Sequence, residues 1–172
     1  HTLHFVMAPM VHWPEVMVSY ESLEKVLFAA DGFGQFSAIC NETDDWKCEA
    51  RRYYFNIVGK YGQFVQKLLK KAAGLDIAVI APLHGPVLKE DVASYVEIYD
   101  IWSSGRAEDD GVFVAYASIH GNTAVAAHKM AELLKAAGVE KVVVSDLCRC
   151  DIHEAVEDAF RYSKAVLAAS TN

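Results

Sequence analysis

Apolar positions along the chain fall into two rhythms. In the first half, short runs that alternate in part come first. Thr2–Met7, Val16–Tyr20 after the Trp13-Pro14 break, and Lys25–Ala30 ending at Asp31-Gly32 predict three strands. Residues 33–45, with Gly, Ser, Asn, Thr and Asp, predict a loop. From Trp46 to Ala73 the apolar residues recur at helical spacing (Tyr54, Ile57, Val58, Tyr61, Val65, Leu68, Leu69), and Gly59 and Gly62 predict a bend or a split. Asp76–Ala81 predicts a short strand stopped by Pro82. Glu90–Trp102 predicts a helix with Val92, Tyr95, Val96 and Tyr99 on one face.

The rhythm then changes. Ser103–Gly111 is polar and Gly-rich, which predicts a linker over 105–110 between domains at 1–104 and 111–172. Beyond it, elements alternate regularly: a strand at Gly111–Ala117, a helix at Asn122–Ala137 ended by Gly138, a strand at Val139–Asp146, a helix at Ile152–Tyr162 and a strand at Lys164–Ala169. That βαβαβ order predicts an α/β fold with a parallel, doubly wound sheet.

Composition narrows the function classes. With 53% apolar and 23% charged residues the chain reads as globular rather than disordered. A formal charge of −7 argues against broad electrostatic binding to nucleic acid or an anionic membrane. No apolar run reaches the roughly 18–20 residues that span a bilayer. The four cysteines, Cys40, Cys48, Cys148 and Cys150, are too few and too irregular for a disulfide framework. They fit reduced thiols in a cytoplasmic setting, although Cys148-x-Cys150 also invites a metal or redox reading. The first residues carry no basic region followed by an apolar run, and the abrupt ends suggest a piece of a longer polypeptide.

Candidate chemistry sits where strands end. Ser118-Ile119-His120-Gly121-Asn122-Thr123 joins a predicted strand directly to a predicted helix. A helix N-terminus offers unpaired N–H groups and partial positive charge, so phosphate binds there readily. Gly121 lets the backbone approach an anion, and Ser118, Asn122 and Thr123 add donors or cap the helix. The loop lacks the Lys of a triphosphate loop and the three glycines of a dinucleotide fingerprint, so a monophosphate fits better. The same residues also suit a capped helix start with no ligand. Ser170-Thr171-Asn172 follows the third strand and converges on the same sheet edge.

Upstream, three strand–loop junctions each carry one ligand-type residue: His12 in Ala8-Pro9-Met10-Val11-His12-Trp13-Pro14-Glu15, Asp31 in Ala30-Asp31-Gly32-Phe33-Gly34-Gln35, and His84 in Ala81-Pro82-Leu83-His84-Gly85-Pro86. Imidazole and carboxylate together suit iron, zinc or manganese. Singly, each has a plainer reading, the histidines as packed side chains and Asp31-Gly32 as a turn. The other histidines, His1, His4, His128 and His153, lack this context.

Residues 112–172 resemble the first half of flavodoxins, whose Ser/Thr-x-x-Gly-Asn-Thr loop holds the FMN phosphate. The His-Trp-Pro-Glu, Asp-Gly-Phe-Gly-Gln and Ala-Pro-Leu-His-Gly-Pro segments, with Ala-Arg-Arg-Tyr-Tyr-Phe-Asn-Ile-Val at 50–58, closely resemble the flavodiiron proteins. The resemblance covers essentially the whole chain. It implies the C-terminal part of a metallo-β-lactamase-like αββα sandwich, followed by the first half of a flavodoxin-like doubly wound parallel sheet. It implies FMN on Ser118, Ile119, His120, Gly121, Asn122 and Thr123, with Ser170, Thr171 and Asn172 beginning the loop that frames the flavin ring. It implies two iron ions, with His12 and His84 one on each and Asp31 bridging, and further ligands from a His-x-Glu-x-Asp motif upstream of residue 1. Trp13 would shape the pocket wall or pack in the core. The implied activity is reduction of O2 to water or of NO to N2O. The implied partners are a rubredoxin-like donor and a second copy in a head-to-tail homodimer. Alternatives are a zinc-dependent metallo-β-lactamase-like hydrolase on the same ligands, or a flavodoxin-type electron carrier without diiron activity.

Overall fold

A computed structural model describes residues 1–36 and 46–170. The chain divides into two compact units, His1–Arg106 and Ala107–Asn172. In the first, strands β1 (Leu3–Met7), β2 (Met17–Glu21), β3 (Val26–Phe28) and β4 (Val79–Ala81) form one sheet in the order β1-β2-β3-β4. The first two pairings are antiparallel and β3 pairs with β4 in parallel. The C-terminal ends of β1, β3 and β4 therefore lie on one edge, and each is followed by one of the three ligand-bearing loops.

Alternation along the strands gives the sheet two unlike faces. Val18 and Tyr20, with their neighbours Leu27 and Ile80, join one core with Val65, Leu68, Ile98, Tyr99 and Trp102. These last come from α2 (Gly62–Ala72) and α3 (Val92–Ser103), which pack on that face. On the other face Leu3, Phe5, Met7, Met17 and Phe28 are exposed.

The long helical pattern is split, as the glycines predict, and in an unexpected way. Helix α1 (Trp46–Tyr53) runs into a π-helical turn (Tyr54–Val58) and a 3₁₀ turn (Gly59–Tyr61) before α2 begins. Tyr53 and Tyr54 are both buried, on consecutive positions. Tyr54, Tyr99 and Trp102 form an aromatic cluster with ring centroids 5.2–5.5 Å apart, separations at which rings attract edge-to-face or offset.

In the second unit β5 (Asp109–Ala117), β6 (Val142–Asp146) and β7 (Tyr162–Ala169) form an all-parallel sheet in the order β6-β5-β7. Val112, Val114 and Tyr116 pack with Ala127 of α4 (Asn122–Ala136); Phe113 and Ala115 pack with Ala155 of α5 (Ile152–Arg161). Alternate residues of β5 thus serve opposite faces, each covered by one helix, and the doubly wound expectation holds. Three boundaries move. β5 starts at Asp109, inside the predicted linker. Its carboxylate is bound by Arg161 at 2.7 Å and by Lys141, which extends the ordered strand. β6 starts at Val142 rather than Val139. β7 begins at Tyr162 with no intervening loop. Among the described residues no helix is long and apolar enough to cross a membrane.

Burial pushes the phenols of Tyr53, Tyr54 and Tyr99 well above the usual tyrosine range. Above pH about 10 the unfolded chain ionises these groups while the folded one keeps them protonated, so the unfolded state binds fewer protons and stability falls as pH rises. Each such tyrosine steepens the fall by up to about 1.4 kcal/mol per pH unit above pH 10. Urea unfolding at pH 9 and pH 11 should show it, and Tyr54→Phe should make the dependence shallower.

Candidate metal and phosphate sites

Two backbone ties hold the Asp31 and His84 loops together beyond the strands. The Leu83 N–H donates to the Ala30 carbonyl at 2.8 Å, and the Gln35 N–H donates to the His84 carbonyl at 3.2 Å. Ala29 N–H also donates to Ala81 O at 3.0 Å, continuing the parallel pairing. The His12 loop is closed on itself, with Ala8 N–H to Val16 O at 2.8 Å and Met10 N–H to Trp13 O at 2.7 Å. The Phe33 N–H is fixed from below by the Tyr99 hydroxyl at 2.7 Å. Met10, Ala30 and Phe33 all have positive φ (66°, 51° and 63°), a conformation that costs of order 1–3 kcal/mol per residue and persists where surroundings impose it.

These loops bring all three predicted ligands together. The two oxygens of the buried Asp31 carboxylate face different histidines: Oδ2 lies 3.5 Å from His12 Nε2, and Oδ1 lies 3.4 Å from His84 Nε2. Both distances are long for a hydrogen bond. They match the spacing of two ligands on one cation: with metal–ligand bonds of about 2.1 Å, donors at a tetrahedral angle stand about 3.4 Å apart. The arrangement can thus hold two cations, each with one imidazole and one carboxylate oxygen. Among the described residues no three His, Cys, Asp or Glu side chains close on a single metal position. The set is two pairs sharing a carboxylate, and each pair is short of the four or more donors such ions take.

A cavity of ≈ 440 Å³ opens beside these groups, lined by His12, Gln35, Phe36, Tyr53, His84 and Gly85 among others. Gln35 and Tyr53 were not picked out from sequence. Gln35 Oε1 is buried with no hydrogen-bond partner among the described residues. Tyr53 lies 6.0 Å from the His84 ring, and the Asp31 charge adds to burial in keeping its phenol protonated. Trp13 has neither expected role. It is 60% exposed, is not part of the cavity lining, and lies tilted against the His12 ring at 5.2 Å, because Pro14 and the tight loop turn it outward.

The phosphate loop follows β5. Gly121 is the N-cap of α4 at φ +86° with no side-chain cap, so the expected capping by Asn122 or Thr123 is not formed. The exposed first-turn N–H groups are left for an external acceptor. Ser118 Oγ is buried with no partner among the described residues. Ile119, His120 and Asn122 are exposed, and Thr123 is half-buried. Ala117 of β5 pairs with Ala169 of β7, so Ser118 and the exposed Ser170 leave adjacent strands on the same edge. The β6-β5-β7 order reverses direction at β5/β7, the position where doubly wound sheets bind ligands. Thr171 and Asn172 lie outside the described residues.

No family model matches the chain. It is 33% identical over 181 residues to a nitric oxide reductase of Moorella thermoacetica, covering 98% of this chain and 44% of that one. It is 30% identical over 179 residues to an anaerobic nitric oxide reductase flavorubredoxin of Salmonella arizonae, covering 98% and 37%. Its fold matches the crystal structure of the flavodiiron protein from Giardia intestinalis with a TM-score of 0.88 at 26% identity, over 96% of this chain and 42% of that one. The chain spans less than half the length of the curated relatives it matches.

Gly85, at φ +97°, has no room for a Cβ, which would stand 2.7 Å from Gln35 Cγ. Gly85→Ala should lower stability by about 1–3 kcal/mol in thermal or urea unfolding. Gly74→Ala, where a Cβ meets nothing within 4 Å, should change it by less than about 0.5 kcal/mol.

Proposed function

The chain belongs to the flavodiiron proteins, and we propose that in its full-length parent it serves an oxygen or nitric oxide reductase. The observation that carries this reading is the Asp31 carboxylate with one histidine on each oxygen. His12 and His84 would hold one iron each and Asp31 would bridge them. Imidazole and carboxylate donors suit iron, and a shared carboxylate fixes the spacing of the pair. When bound, the two irons and FMN supply the electrons that reduce O2 to water or NO to N2O.

The chain's own residues do the rest. The buried Asp31 supplies negative charge where two cations need it, and the backbone ties of its loop hold both oxygens in place. The Tyr53 phenol, kept protonated by burial, stands beside the cavity as a neutral hydrogen-bond donor. Ser118 Oγ and the first-turn N–H groups of α4 would take the FMN phosphate, with Ile119, His120, Gly121, Asn122 and Thr123 forming the loop around it. Ser170, Thr171 and Asn172 would frame the ring. A rubredoxin-like donor, a head-to-tail homodimer and a cytoplasmic setting belong to the same proposal. So does the missing half of the sandwich: exposed Leu3, Phe5, Met7, Met17 and Phe28 offer an apolar face for a second sheet.

The test uses the full-length protein. It should contain two irons and one FMN per chain and consume O2 or NO. His84→Ala should lose iron and at least about 100-fold of turnover. Zinc without iron, together with ester or phosphodiester hydrolysis, would support the hydrolase reading instead. Unchanged turnover in His84→Ala would reduce the protein to a flavin carrier. Separately, Ser118→Ala should weaken FMN binding about tenfold by removing one hydrogen bond to the phosphate, read by fluorescence titration of the flavin-stripped protein.

A further inference from the structure

A second cavity, of ≈ 500 Å³, lies in the first unit between the helix-facing side of the sheet and helices α2 and α3. Its walls include Val6, Leu27, Leu68, Leu69, Val92 and Val96. The only ionisable groups in its lining, Asp76 and Glu97, are exposed residues. Asp76 is held by Lys25 at 2.5 Å with its side chain mostly in solvent. The charge is therefore at the rim and the interior is hydrocarbon.

Ala29, Gly32 and Phe33 also line this cavity. They bracket Asp31 in the chain, so the cavity backs directly onto the loop whose carboxylate faces His12 and His84. Gly32 presents no side chain at this wall. The metal-side cavity and the apolar one are thus on two sides of a single loop.

We propose that the apolar cavity is a reservoir and delivery route for the small uncharged diatomic gas that reacts at the metal site. This rests on the reductase reading above. A water molecule needs two to four polar partners, which the interior does not offer, so the cavity favours staying dry. A dry apolar cavity on the order of 150 Å³ already binds xenon or benzene, and this one is larger. A gas without hydrogen-bonding demands loses nothing on leaving water for such a site, whereas charged or polar solutes pay their desolvation. The cavity raises the local concentration of the gas behind Asp31 while the polar metal-side pocket stays open to protons and water.

Xenon is the probe, because its binding needs no turnover. Crystals of the full-length, metal- and flavin-loaded protein are pressurised with xenon and the difference density is read between Leu68, Val96 and Phe33. Val96→Phe and, separately, Ala72→Phe fill the space from α3 and α2; iron and FMN content verify that each variant is folded and loaded. Xenon is expected in the cavity of the unaltered protein and absent from the filled variants. In these variants KM for O2 or NO is expected to rise about threefold or more with kcat unchanged, the pattern of lost uniform binding. An empty cavity under xenon would overturn the proposal, as would an unchanged KM in a filled variant that has lost xenon. A co-purified lipid seated there would also overturn it. Xenon bound in a protein without O2 or NO consumption would instead sink the reductase reading, and gas delivery with it, while leaving the cavity's affinity for apolar gas established.

Discussion

Parallel pairing of β3 with β4 is the constraint on which the metal-side site depends. It places Ala29 against Ala81, and the chain then leaves both strands on the same edge. The next two ties, Leu83 to Ala30 and Gln35 to His84, are extensions of that ladder into the loops. Because backbone hydrogen bonds set the position of each Cα, Asp31 and His84 meet without either side chain having to be steered. The antiparallel pairs β1-β2 and β2-β3 bring the His12 loop to the same edge by topology alone.

The site is arranged at a cost. Three non-glycine residues around it take positive φ, the Asp31 carboxylate is largely withdrawn from water, and Gln35 Oε1 has no partner among the described residues. A buried carboxylate is expensive unless cations or hydrogen bonds compensate it. Its histidine neighbours stand beyond good hydrogen-bond distance. Cations between carboxylate and imidazoles would satisfy all three groups, which is why the proposal assigns them there. The apolar cavity on the far side of the same loop extends the idea from where a substrate reacts to how it arrives.

Much of this was legible in the sequence, for identifiable reasons. Strict alternation in β2 and the buried run of β5 marked the two sheets, and Pro82 and Gly138 marked where elements stop. His12, Asp31 and His84 each stood in a short loop after a strand, and the structure brings these three together. Tyr53 escaped because periodicity assumes a straight helix: it selected Tyr54, whereas both are buried where α1 gives way to the π-helical turn. Gln35 escaped because its environment is made by His84 and Gly85, about fifty positions away. Trp13 misled because an aromatic next to a candidate ligand suggests packing, while the loop geometry turns it to solvent. Capping at Asn122 or Thr123 was a reasonable expectation from residue type. The left-handed Gly121 changes it, and the uncapped N-terminus strengthens the case for an anion.

The most direct test of the central claim is anomalous diffraction at the iron and zinc edges from crystals of the full-length protein. Two iron positions flanking the Asp31 carboxylate, one nearer His12 and one nearer His84, are the expected result. A single metal position, zinc in place of iron, or anomalous peaks away from Asp31 would contradict the account.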